Sequence, residues 1–289
     1  MLISLLHRTT FAYVGKAHDS FNEVRLKPVD DAVQTCRNFD LRIDPTTQLR
    51  DYVDFYGNTV HYFDVVAPHT KLMVEAISEV ETVPNAQRPS VPVVAHESEG
   101  AQSERELRSE FLVDSHYVPL AVEIWKEAQD ALKDGRADIW TDVRTICRHV
   151  FTQFAYKPKA TGVQTLATDV LKLRAGVCQD FAHVAIGMCR TAGIPARYVS
   201  GYFIRLQRKP DDDEPEASHA WIEAFIPGFG WAAFDPTHDR VADDRYIKVA
   251  AGRDYADIRP VSGTYRGGKT RSLTVDVRVR LSEPVSATA

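Results

Sequence analysis

The stretch Arg174–Ile194, RAGVCQDFAHVAIGMCRTAGI, decides how the rest of the chain is read. At helical spacing Val177, Phe181, Val184, Ala185, Met188 and Ala192 form one apolar stripe, which predicts an amphipathic helix beginning just after Gly176. Cys178 falls in its first turn. There the unpaired backbone N–H groups and the positive end of the helix dipole favour a thiolate, the nucleophilic form of the side chain. Gly176 supplies a tight entry that keeps the sulfur at a surface. A small buried hydrophobe is the ordinary fate of a free cysteine and is the reading for Cys189. It is also the plain alternative for Cys178, which differs in lying off the stripe and starting the helix.

A nucleophilic cysteine needs a base and a group to orient that base. Ser218–Phe225 (SHAWIEAF) reads as a strand carrying His219, and Trp231–Thr237 (WAAFDPT) as a second strand ending at Asp235. Cysteine, histidine and aspartate then stand in order as nucleophile, base and orienter. A strand histidine beside a tryptophan is otherwise a packing residue, and His238, in the turn after Pro236, is the rival base. Strand parity adds a constraint, since directly paired residues share a face and faces alternate at every residue. Pairing Ile226 with Trp231 would turn His219 away from Asp235. Pairing Phe225 with Trp231 sets Trp221 opposite Asp235, with His219 diagonally beside it and within reach.

Upstream of this unit, Ala137–Phe154 reads as a buried helix with Trp140, Val143, Ile146, Cys147, Val150, Phe151 and Phe154 on one face and Asp138 as its cap. Ser103–Gly135 holds a helix or two, broken near Pro119, and Thr168 caps a short helix through Leu173. Pro195–Leu206, Arg245–Ala250 and Leu273–Leu281 read as further strands of the sheet that carries His219. The first 83 residues alternate in six short β-type runs: Ser4–Tyr13, Phe21–Lys27, Cys36–Asp44, Thr47–Phe55, Asn58–Val66 and Lys71–Val83. Turn signals at Asp44-Pro45 and Tyr56-Gly57-Asn58 punctuate them. The expected organisation is an N-terminal β-domain over 1–83, a Pro-rich linker over 84–103 and a catalytic domain over 104–289.

The 289 residues carry a net charge of −5 with no basic run, so nothing marks a nucleic-acid partner. No run of about 18 apolar residues suits a membrane span. MLISLLHRTT lacks a basic start and passes straight into strand-like alternation, so it does not read as a secretory signal. Four cysteines in a chain of this size are no disulfide framework, which points to a cytoplasmic protein with reduced thiols. Asp180 and His183 stand near Cys178 on what reads as the wet side of the helix, where a carboxylate and an imidazole need no metal, and C-x-D-x-x-H is not a zinc pattern. The acidic run Asp211–Glu216 lacks the EF-hand pattern and reads as a solvated loop. No metal and no cofactor are expected.

In GVC (Gly176–Cys178), HAW (His219–Trp221) and DPT (Asp235–Thr237) the chain resembles the transglutaminase-like superfamily, and the three motifs stand in that family's order. HRTTFAY (His7–Tyr13) and FNEVRLKP (Phe21–Pro28) look like the all-β domain that precedes this core in bacterial members. The resemblance covers nearly the whole chain and implies an α+β protein: a sandwich-like N-terminal β-domain, then a papain-like or transglutaminase-like core with the cysteine helix packed on an antiparallel sheet. It further implies acyl transfer from an amide through a thioester, with Cys178, His219 and Asp235 in the roles given above and a peptide or protein as substrate. Hydrolysis is the first expectation. Transfer to an amine and a non-catalytic peptide-binding module are the alternatives. The backbone N–H of Cys178 is one candidate oxyanion donor, with Gln153, Tyr156 or Gln179 as the second, while Tyr202 and Trp221 are candidates to line a substrate groove.

Overall fold

The computed structural model describes residues 1–84, 103–104, 106–136, 138–205 and 218–282. Most of the expected linker, the acidic run Asp211–Glu216 and the C-terminal tail from residue 283 lie outside the described residues. The chain forms two antiparallel sheets with a helical layer against the second.

The first sheet contains β1 (Leu2–Val24), β2 (Gln34–Asp44), β3 (Arg50–Val53), β4 (Thr59–Val65) and β5 (His69–Thr82), in the order β2-β5-β1-β4-β3. The two runs expected at Ser4–Tyr13 and Phe21–Lys27 are halves of one long β1. It pairs first with β5 and then with β4, with register shifts against both β13 and β5 between Ala12 and Ala17. The last strand of the chain also belongs here. Leu273–Leu281, expected in the sheet of His219, is the end of β13 (Val261–Leu281), which runs antiparallel to β1 over nearly all of its length. Alternation identifies a strand but not its partner, and this pairing closes over a sequence separation that no local pattern records.

A 3-10 turn at Ser109–Phe111 precedes four helices: α1 (Val122–Ala131), α2 (Ile139–Gln153), α3 (Ala167–Leu173) and α4 (Cys178–Thr191). Asp138 caps α2, accepting from Thr141 N–H at 2.9 Å. The cap position of α3 is Leu166, with no side-chain bond, rather than Thr168. Two short parallel strands, β6 (Ala155–Tyr156) and β7 (Ala175–Gly176), tie the end of α2 to the approach to α4.

The second sheet has the order β11-β10-β9-β8-β12, formed by β8 (Ala196–Phe203), β9 (His219–Ile226), β10 (Gly230–Asp235), β11 (Arg240–Val241) and β12 (Tyr246–Gly252). β9 pairs with β10 in the register that sets Phe225 opposite Trp231. Ala220, Ile222, Ala224 and Ile226 join the core that α4 enters, while Trp221 packs on the other face with Val199, Ala233, Ala242 and Tyr246. α4 has α1, α2 and α3 on one side and β8 and β9 on the other, so every residue from Asp180 to Arg190 is buried. The expected exposed face of this helix is absent, because a core of this size encloses its central helix completely.

Candidate active site

α4 packs along β9, which brings the N-terminal residue of each, Cys178 and His219, together. Gly176 makes the approach possible. A Cβ there would stand 2.6 Å from Asp180 Oδ2, and that carboxylate accepts from Val177 N–H at 2.7 Å and from the Thr161 hydroxyl at 2.6 Å. Asp180 thus ties down the entry to the helix, although burial raises its pKa. It and His183 lie in the interior rather than on a wet face. His183 accepts from Tyr255 N–H, stacks on Tyr117, and is held neutral by burial with a pKa pushed down to about 3. Gly176→Ala is expected to push Asp180 off Val177 and cost about 1–3 kcal/mol. An unchanged thermal midpoint would show that the turn relaxes freely.

His219 stands between the sulfur and Asp235. Its Nε2 is 2.8 Å from Asp235 Oδ2, and the ring also hydrogen-bonds Cys178. With Nε2 committed to the carboxylate, Nδ1 is the atom left to face the thiol. Burial disfavours the imidazolium, but the charge and hydrogen bond of Asp235, and then those of Cys178, outweigh it and hold the His219 pKa up at about 10. Asp235 is completely buried. Burial would raise its pKa, yet His219 and then His238 keep its carboxyl well below the usual range.

The carboxylate is held from all sides. Oδ1 accepts from Thr237 N–H at 2.7 Å and from His238 N–H at 3.3 Å. Oδ2 is shared by His219, by His238 Nδ1 at 2.6 Å and by the Tyr246 hydroxyl at 2.7 Å. His238, the rival base, is therefore a second donor to Asp235, and Tyr246 is a partner that the sequence reading missed. Nothing in the strand it begins distinguishes it from a core tyrosine. His219, Asp235 and His238 could also be read as three metal donors, but the separations of 2.6 and 2.8 Å are those of hydrogen bonds already made.

The other candidates separate. Trp221 is buried and stacks on His219 with ring centroids 6.0 Å apart, so it backs the histidine rather than lining an open groove. Tyr202 is buried against the first sheet, its hydroxyl 2.8 Å from His7 Nδ1, which removes it from any groove. Gln179 donates to Val163 C=O at 3.1 Å. Gln153 is exposed at the end of α2. Tyr156, half exposed, lies beside Gly176 through the β6–β7 pairing and packs edge-on against Phe181.

The model of the transglutaminase-like superfamily core matches residues 126–236, and that of the bacterial transglutaminase-like N-terminal region matches residues 3–81. An uncharacterised Mycobacterium leprae protein is 34% identical over 276 residues, covering 95% of this chain and 97% of that one. The chain belongs to the transglutaminase-like superfamily. A Mycobacterium tuberculosis relative, also uncharacterised, is 32% identical over 94% of this chain and 90% of its own. The crystal structure of a candidate cysteine protease from Cytophaga hutchinsonii shares the fold with a TM-score of 0.75 at 23% identity, covering 99% of this chain and 92% of that one. A protein-glutamine gamma-glutamyltransferase of Pseudomonas aeruginosa is 32% identical over 130 residues, which are 39% of this transglutaminase-like chain and 19% of that protein. Among the described residues, no helix is long and apolar enough to cross a membrane.

Proposed function

We propose that this protein is a cysteine peptidase or amidase, with Cys178 as nucleophile, His219 as general base and acid, and Asp235 as orienter. The observation that carries the reading is His219 held between Cys178 and a buried carboxylate, its pKa lifted to about 10 so that the imidazolium persists at neutral pH. In acylation Sγ, its proton already resting on Nδ1 of His219, attacks the amide carbonyl, and the charge that develops on oxygen faces the Cys178 backbone N–H. Collapse of the tetrahedral intermediate breaks the C–N bond. The amine leaves with the proton from Nδ1, and a thioester remains. Water then attacks the thioester, giving its proton to Nδ1, and collapse of the second tetrahedral intermediate breaks the C–S bond, so that the carboxylic acid departs and Sγ is again paired with protonated His219. The four cysteines are free in the structure, which suits a reducing compartment, and a cytoplasmic location is part of this proposal.

A second reading, transfer of the acyl group to an amine, is favoured by the similarity of one segment to the Pseudomonas aeruginosa gamma-glutamyltransferase. The two differ only in what attacks the thioester. Mass spectrometry of a glutamine-containing peptide library, incubated with and without a labelled primary amine, separates them. Products cleaved or deamidated by one added water, unchanged by the amine, are expected. Stable incorporation of the label would establish the transferase reading, and no product under either condition would leave a peptide-binding module.

A further inference from the structure

β12 is an edge strand of the second sheet, paired with β8 on one side and with a register shift between Lys248 and Ala250. The backbone groups on its free side are met by side chains of the first sheet and its loops. Gln34 Nε2 donates to Lys248 C=O at 2.8 Å while its Oε1 accepts from Lys248 N–H at 2.8 Å. Asn58 does the same for Ala251, with both bonds at 2.8 Å. The Thr82 hydroxyl donates to Asp244 C=O at 2.7 Å, two residues before Tyr246. The Lys248 ammonium bridges Asp31 at 2.7 Å and Glu223 of β9 at 2.9 Å. Ile247 and Val249 share a core with Ile3, Leu5 and Val80. Each of these grips fixes the strand whose first residue, Tyr246, donates to Asp235 Oδ2.

We infer that the N-terminal β-domain is a positioning component of the site: by holding β12 through Gln34, Asn58 and Thr82 it sets Tyr246, and Tyr246 holds the Asp235 carboxylate toward His219. The inference rests on the reading of Cys178, His219 and Asp235 as catalytic. Asp235 can serve His219 only while Oδ2 stays in line with Nε2. The backbone donors on Oδ1 come from the same turn and would move with it. Tyr246 arrives on a separate element, so it is the reference that ties the carboxylate to the rest of the fold. Tyr246 is a positioning residue, and Gln34 and Thr82 act on the site only through it.

The test uses the whole 289-residue chain and, as its primary variants, Tyr246→Phe, which removes one hydroxyl, and Gln34→Met and Thr82→Val, which release β12 from a distance. Two rates are read per folded molecule well below the thermal midpoint: peptide turnover, and alkylation of Cys178 by iodoacetamide, which needs no knowledge of the substrate. Tyr246→Phe is expected to lower kcat about 10-fold with KM little changed, and Gln34→Met and Thr82→Val by about 3-fold each, the hydroxyl-bearing Thr82→Ser restoring the rate. Because the effects travel through one link, Gln34→Met added to Tyr246→Phe should cost little more than Tyr246→Phe alone. Remote variants that lower the thermal midpoint while both rates stay at the wild-type value would overturn the inference, as would strictly additive losses. Failure of the underlying reading is distinguishable, since Cys178→Ala would then leave peptide turnover intact.

Discussion

Cys178→Ala is expected to lower kcat/KM for amide cleavage by on the order of 10⁴-fold or more, because no other group in the site can form the thioester. Cys178 is only half-buried, so the fold should lose no more than about 1 kcal/mol and the circular dichroism should be unchanged. The same residue should dominate limited labelling by iodoacetamide. Burial pushes the Cys147 thiol well up and that of Cys189 to about 12, and burial with the nearby Asp30 raises that of Cys36, so none of these offers a ready thiolate. Peptide mapping after partial alkylation reads the outcome directly. Label concentrated on Cys36, or turnover surviving in Cys178→Ala, would remove Cys178 from the chemistry.

How much of this could be read from the chain alone depends on how local each signal is. Cys178 was legible because its helix entry, Gly176 and the apolar spacing after it are all local. The placement of His219 beside Asp235 was legible for a different reason: strand parity allows few registers across a short hairpin, and the one that unites them, Phe225 opposite Trp231, is found. The burial of Asp180 and His183 was not legible, since an amphipathic pattern does not tell whether a second layer covers the polar face. Tyr246 was missed because its tie to Asp235 is a side-chain hydrogen bond between separate strands that no spacing records, and Leu273–Leu281 was given the wrong sheet because its partner, β1, lies across most of the chain. Tyr202 fits a groove by residue type and fails by topology, because the end of β8 that carries it packs against Ile3, Leu5 and Val80 of the first sheet.

Asp235→Asn should combine a loss of rate with a change in pH behaviour that no simple packing defect would give. An amide keeps the shape but not the charge. Burial, which alone lowers the His219 pKa, then goes unopposed by its largest counterweight, so the imidazolium is no longer held at neutral pH. A fall in kcat/KM of roughly 10²- to 10⁴-fold is expected, the range in which a misoriented, uncharged base leaves such a site. In the wild type the alkaline limb of kcat/KM should follow loss of the His219 proton near pH 10, and in the variant it should move down by about two units or more. Stability carries the same signature. Raised from 6.5 when unfolded to about 10 when folded, His219 contributes stability that is fully present below pH 6.5 and lost as the pH climbs through 10. Asp235, depressed from 3.8, contributes stability that is present above pH 3.8 and lost as the pH falls through its folded value. These are two views of one ion pair and are not summed. The difference in unfolding free energy between wild type and Asp235→Asn should therefore be largest, a few kcal/mol, between about pH 4 and 6.5, and should shrink toward pH 10. Urea titrations across that range measure it, and a difference that stays flat with pH, beside an unmoved alkaline limb, would show that His219 and Asp235 do not share a proton in the working protein.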